Sequence, residues 1–372
     1  MTRYRVPRLA LAAWAVAGAG LVALIVAVSH FLSGSSMGHH SMADSMAVIR
    51  GGGTDPVHAL VGAPLFTSWQ LDAIAVAVLV LAAAGYLTGV ALVPVRQPGQ
   101  RWPWWRTAVF VAGLLVVAYA TCGSIAVYDQ ALFTAHMAGH LALVMVAPAL
   151  LATGRPLALA LAVAPPARRA RIERVVSGRV LSLLTSPPVA LVAYTAVIVG
   201  SHLTGLMDVI MRNAWAGQLE HLAYLVVGYQ FFVLVVGDEP IRWRLSSPVR
   251  WLLLAVAMAV DTFTGIVLMQ GTSAVHLEPS ALHVDPISDT HTGGAIMWFG
   301  GDGIMALIMI ILVVNWLRTV ESAPAQRGWL EQARDTAFTE HTGGATDAGI
   351  DEDDAARQSY NDWLRQLDRG AH

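Results

Sequence analysis

Lysine is absent from these 372 residues, cysteine occurs once, and only 13% of positions are charged. Each shortage excludes something. With Cys122 alone there is neither a disulfide framework nor a CxxC pair, which removes a two-thiolate copper chaperone from consideration. The formal net charge of -2, without a basic face interleaved with aromatics, leaves nothing to draw the chain to nucleic acid. Nucleophile-and-base arrangements, Walker loops and dinucleotide fingerprints do not occur where their structural context would need them, so the sequence reads as that of a non-enzyme. No internal repeat is visible of the kind that underlies many secondary transporters.

What the chain has instead is apolar residue, 56% of it by composition with a mean hydropathy of +0.57. Most of it must therefore be solvated by lipid. A helix crossing ~30 Å of hydrocarbon needs roughly 20 apolar residues. Stretches of about that length lie near 9–32, 70–93, 107–127, 134–153, 188–207, 218–237, 249–270 and 292–317. These predict an all-α, polytopic transmembrane helix bundle of about eight spans, a seven-span core plus an N-terminal span. The first stretch, opened by Arg3, Arg5 and Arg8, is longer than the usual apolar run of a signal peptide and is expected to be retained.

Arginine sets the expected orientation. Counted along alternate connections, all of the 23 basic residues except Arg50 and Arg212 fall on the N-terminal side, so both termini are expected in the cytoplasm. The inner connection 154–187 carries Arg168, Arg169, Arg171 and Arg174 beside Ile172, Val175, Val176, Val180 and Leu183 at helical spacing, the pattern of an interfacial amphipathic helix or a plain positive-inside anchor. Three regions follow: 1–64, an N-terminal span with an outer arm; 65–317, the seven-span core; and 318–372, a flexible cytoplasmic tail. In the tail, Ala356, Tyr360, Trp363, Leu364 and Leu367 share a helical stripe.

Histidine is concentrated in the outer half. His136 and His140 stand one turn apart on the fourth span, on one face, and such a pair can grip one metal ion. His202 and His221, the latter following Glu220, come to the same depth from the fifth and sixth spans. The first outer connection reads Met37-Gly38-His39-His40-Ser41-Met42, with Met46 and His58 beyond. Thioethers beside imidazoles suit copper better than magnesium or calcium, so Met37, His39, His40 and Met42 are candidate ligands on a scavenging arm, the alternative being a loop whose methionines are incidental. The last outer connection adds His276, His283 and His291 with Glu278, Asp285 and Asp289, an acidic lip attractive to cations. Deeper lie Asp261 and Asp302, either a station for a cation or proton or carboxyls paired with helix hydroxyls. Met269, Met297 and Cys122 are expected to be packing.

At Phe133-Thr134-Ala135-His136-Met137-Ala138-Gly139-His140-Leu141, then Ala147-Pro148 and Gly154-Arg155-Pro156, the sequence resembles the polytopic CtaG family of bacterial cytochrome c oxidase assembly factors. Further matches are Trp69-Gln70-Leu71-Asp72, Trp102-Pro103, and Gly293-Gly294 through Met297-Trp298, so the resemblance covers about residues 65–317. It implies a chaperone of the respiratory chain in the bacterial cytoplasmic membrane, with cytochrome c oxidase subunits as partners. Copper would reach the CuA centre of the second subunit, and His136 and His140 would be the first ligands. The outer arm and the acidic tail are outside the matched pattern. Two other readings stay open from the residues: a copper or cation transporter using Asp261 and Asp302, and a haem-binding redox protein with axial imidazoles such as His140 opposite His202.

Overall fold

A computed structural model describes residues 68–322 apart from 130, 213 and 276–283, together with 66, 358, 360–363, 365 and 366. The described residues are helical, with no strand among them. The expected N-terminal span and the outer His/Met arm lie outside them.

The first long helix, α1 (Ala73–Arg96), starts where Asp72 accepts the Ala75 N–H at 2.9 Å, one of the four amide groups that a helix start leaves without a partner. Next come α2 (Trp104–Cys122), the short α3 (Ser124–Tyr128) and α4 (Phe133–Leu141). A π-helical turn, Ala142–Val146, joins α4 to α5 (Ala147–Thr153). Then follow α6 (Pro156–Val163), α7 (Pro166–Val176), α8 (Arg179–Leu184), α9 (Pro187–His202), α10 (Leu206–Arg212) and α11 (Ala214–Val235). Last are α12 (Ser247–Met269), α13 (Pro286–Ala295), a second π-helical turn Ile296–Gly300, and α14 (Gly301–Ser322).

Among the described residues six helical runs are long and apolar enough to cross a membrane: Ala73–Arg96, Trp104–Tyr128, Phe133–Val163, Trp215–Val235, Ser247–Met269 and Pro286–Leu317. Leu115, Val192, Leu222, Phe263 and Leu307 on these helices and α9 are each more than half exposed, the lipid-facing surface expected of such a bundle. Two expected spans differ in extent. The stretch at 188–207 is a helix only over Pro187–His202, roughly 24 Å at 1.5 Å per residue, because the chain turns at Leu203 before α10 begins. The stretch at 134–153 continues to Val163 through a break at Arg155, whose φ of 54° and ψ of 54° are left-handed. Glu239 sits across that break and accepts the N–H groups of Leu157 at 3.0 Å and Ala158 at 2.8 Å. Burial pushes its carboxyl above the usual value, and those two amides pull it back down.

The expected amphipathic segment is two helices, α7 and α8, divided at Ser177 and Gly178. No residue of α7 is buried, and Val175, Val180 and Leu183 turn outward.

The core is built where α11 crosses α5 and the first π turn, and where α9 packs on α11 and α12. Phe133, Met145, Tyr194, Tyr224, Phe231 and Met297 are fully buried in it. Close backbone approach replaces bulk at the crossings, as is common between membrane helices. A Cβ at Gly228 would fall 2.2 Å from the Val144 carbonyl oxygen. At α13, a Cβ on Gly293 would strike Phe133 at 2.5 Å, while one on Gly294 would come 2.9 Å from the Gly265 carbonyl. Adjacent glycines thus let one helix close against α4 on one side and α12 on the other. Residues 313–372 form a separate compact unit, in which Arg365 and Asp362 pair at 2.8 Å.

Candidate functional site

The two histidines of α4 owe their placement to a distant carboxylate. Leu132, the residue before α4, has no side chain to cap it. Asp289 of α13 does so instead: its Oδ2 accepts the Phe133 N–H at 2.5 Å, its Oδ1 accepts the Thr134 N–H at 3.2 Å, and the Thr134 hydroxyl donates to it as well. The helix then runs one turn from His136 to His140 and widens into the π turn, a distortion that is frequent at functional sites.

His136 and His140 are 1% and 2% exposed, and His202 and Glu220 reach them from α9 and α11 at 5% and 7%. Hydrogen bonds fix which ring nitrogens remain available. His202 Nδ1 lies 2.8 Å from the Ile198 carbonyl oxygen, which can only accept, so Nδ1 carries the proton. Its Nε2 is then an acceptor for His140 Nδ1–H at 3.1 Å, which leaves the lone pair of His140 on Nε2. His136 Nδ1–H donates to Asp129 Oδ1 at 3.0 Å, and in the neutral imidazole this leaves a lone pair on Nε2 there as well. That atom is 3.8 Å from Glu220 Oε2. Glu220 Oε1 accepts from the Tyr224 hydroxyl, which also lies 3.1 Å from Ser201 Oγ. Shielded from solvent and without a hydrogen-bond partner are His136 Nε2, His140 Nε2 and Glu220 Oε2. Each is a potential ligand atom, and an unpaired buried acceptor is costly to maintain. Among the described residues no three His, Cys, Asp or Glu side chains already stand as a group that could hold one metal ion.

The expected set is therefore rearranged. His136, His140 and His202 come together, with the His140 ring 4.6 Å from that of His202 and 4.4 Å from that of Tyr224. His202 bonds to His140, so its free nitrogen is used up. His221 faces Asp129 Oδ2 at 3.8 Å instead of the other imidazoles, because it sits on the side of α11 next to Glu220. Nδ1 of His140 and Nε2 of His202 are 3.1 Å apart, so the two imidazoles considered as an axial pair hydrogen-bond to each other here. The outer lip is also less open than expected. Asp285 caps α13 through the Ser288 N–H at 2.8 Å, Asp289 caps α4, and His291 Nε2 donates to the Gly271 carbonyl oxygen at 2.8 Å. Met37, His39, His40, Met42, His276 and His283 lie outside the described residues.

Deeper in the bundle, Asp302 takes the Thr262 hydroxyl at 2.9 Å and Asp261 takes the Tyr194 hydroxyl at 3.0 Å, the pairing with hydroxyls foreseen as one option. Met297 is fully buried and Cys122 is a buried free thiol. Sequence reasoning missed Asp129, Ser201 and Tyr224. Glu220 and Tyr224 at i and i+4 share a helix face and could have been paired. Asp129 could not, since it precedes His136 across a chain turn with no periodicity to connect them.

Residues 84–319 match the family model described as cytochrome c oxidase caa3 assembly factor. An uncharacterised protein of Mycobacterium bovis and one of Mycobacterium tuberculosis are each 30% identical to the chain over 321 residues. That alignment covers 82% of this chain but 45% of theirs, so the chain spans about half the length of these curated relatives. An uncharacterised Mycobacterium leprae protein is 29% identical over 267 residues, 68% of this chain and 40% of its own. No solved structure matches.

Proposed function

Because the chain belongs to the cytochrome c oxidase caa3 assembly factor family, we propose that this multi-pass membrane protein holds copper in the His136 and His140 cluster and passes it to the CuA-bearing subunit of an oxidase. The arginine distribution supports an orientation with that cluster toward the outer face of the cytoplasmic membrane, the side from which CuA would be loaded. Copper is cargo here, and the protein is a carrier with no catalytic role.

One observation carries the reading. Three shielded ligand atoms, His136 Nε2, His140 Nε2 and Glu220 Oε2, have no hydrogen-bond partner, two of them facing each other at 3.8 Å, and the hydrogen bonds at the Nδ1 atoms orient both neutral imidazoles as a metal needs. Imidazole with a carboxylate suits a divalent first-row metal. A carrier must also release its ion, and a donor set that closes only when the ion arrives serves that purpose. On this reading Glu220 replaces His202 and His221 among the direct ligands, His202 positions His140, and the Met37, His39, His40 and Met42 arm collects the ion first.

The test is metal analysis with an absorption spectrum on the detergent-purified protein, wild type beside His136→Ala with His140→Ala. About one copper per chain, lost in the double variant, supports the reading. No copper after reconstitution replaces it with a scaffold that assembles the oxidase without touching metal, and a Soret band replaces it with haem.

A further inference from the structure

The arginine-rich end of the bundle carries a second site, unrelated to the imidazoles. Between α1 and the α6 to α7 segment lies a groove of about 610 Å³, lined mainly by aliphatic and small side chains. Ligand pockets generally enclose about 300–1,000 Å³. Along α1 the groove runs from Ala82 to Arg96, 14 residues by subtraction, or roughly 21 Å at 1.5 Å per residue. Half of a ~30 Å hydrocarbon core plus the adjoining headgroup layer has about that depth. Gly85 opens it: an added Cβ there would meet nothing within 4 Å, whereas one at Gly89, a turn further on, would press on Leu159 at 3.0 Å.

Charge is confined to one end, where Arg96 and Arg168 both line the groove. Ion pairs of the described arginines are Arg169 with Glu173, Arg250 with Asp238 and Arg365 with Asp362. Arg96 and Arg168 therefore face the groove without a carboxylate among the described residues. Two unneutralised guanidiniums at the mouth of an apolar channel one leaflet deep fit an amphiphile with an anionic head. The shielded hydroxyl of Thr88, which also lines the groove and has no hydrogen-bond partner, adds a donor for an acyl ester carbonyl.

We propose that the groove is a binding site for one anionic phospholipid, its phosphate held between Arg96 and Arg168 and an acyl chain lying over Gly85. A zwitterionic headgroup brings its own ammonium against the two guanidiniums, and a quinone brings no anion to them.

The experiment uses the full chain purified in mild detergent, with phosphatidylglycerol and phosphatidylcholine as probes. Phosphatidylglycerol should raise the thermal midpoint and stay bound at about one per chain through washing, and phosphatidylcholine should do neither. Arg96→Gln with Arg168→Gln should lower retention at least tenfold, Gly85→Leu should lower it by filling the groove, and Arg101→Gln, which removes a cation outside the groove, should leave it unchanged. Equal stabilisation of the wild type by both lipids would overturn the proposal, as would undiminished retention in the double arginine variant.

Discussion

His140 Nδ1 and His202 Nε2 are 3.1 Å apart, so one imidazole of the cluster is the hydrogen-bond partner of another and is not a neighbour awaiting the same ion. The relationship runs on through His202 Nδ1 to the Ile198 carbonyl oxygen at 2.8 Å, which anchors the pair to the backbone of α9. His202 is thus a positioning residue for His140.

On the proposed copper reading, this separates the roles of the histidines. Losing a partner behind a metal ligand typically costs 10–100-fold in affinity. His202→Ala should weaken copper binding by about that factor, whereas His140→Ala should remove it. His202→Gln, which can still accept from His140 Nδ1–H, should recover part of the loss. Competition against a chelator of known affinity reads all three. Equal loss in His202→Ala and His140→Ala would make His202 a ligand after all.

Glu220 and Tyr224 give a second separation. Glu220→Gln keeps the volume but replaces the carboxyl group 3.8 Å from His136 Nε2 by an amide, and should reduce copper occupancy at least tenfold. Tyr224→Phe removes one hydrogen bond behind that carboxyl and should have a smaller effect. The ratio of the two variants in metal analysis decides whether the carboxylate or the phenol matters more. A larger loss in Tyr224→Phe would exclude Glu220 as a direct ligand.

How much of this was legible beforehand follows from periodicity. Long apolar runs announce helices, and His136 with His140 announces a face, because both signals are local in sequence. The Arg155 break is announced too, by Gly154 and Pro156 on either side of it, but the two π turns are not, since they lie where backbone meets backbone, as at Gly228 against Val144. Nor is the cap on α4, because Asp289 is 156 residues from Phe133 in sequence and reads as one more acid in an exposed lip.

That cap makes a stability prediction. Asp289→Ala leaves the Phe133 and Thr134 amides without their acceptor, at a cost of about 1–3 kcal/mol. For a body of this size the thermal midpoint should fall by roughly 2–4 °C per kcal/mol. Copper retention should fall too, since α4 carries both histidines. A midpoint unchanged in a differential scanning measurement would contradict the capping role.

Glu239 predicts a pH dependence. Burial raises its folded-state pKa above the unfolded value, so over the interval between the two the folded protein binds more protons than the unfolded chain. Stability then falls as pH rises through that interval and is lowest above it. Glu239→Gln has no charge to desolvate, and its amide oxygen can still accept from Leu157 or Ala158. The wild-type midpoint should therefore decline from about pH 4.5 upward relative to the Gln variant, with the two curves parallel at lower pH. A wild-type curve that climbs against the variant over the same range would mean that the two backbone amides outweigh the burial of the charge.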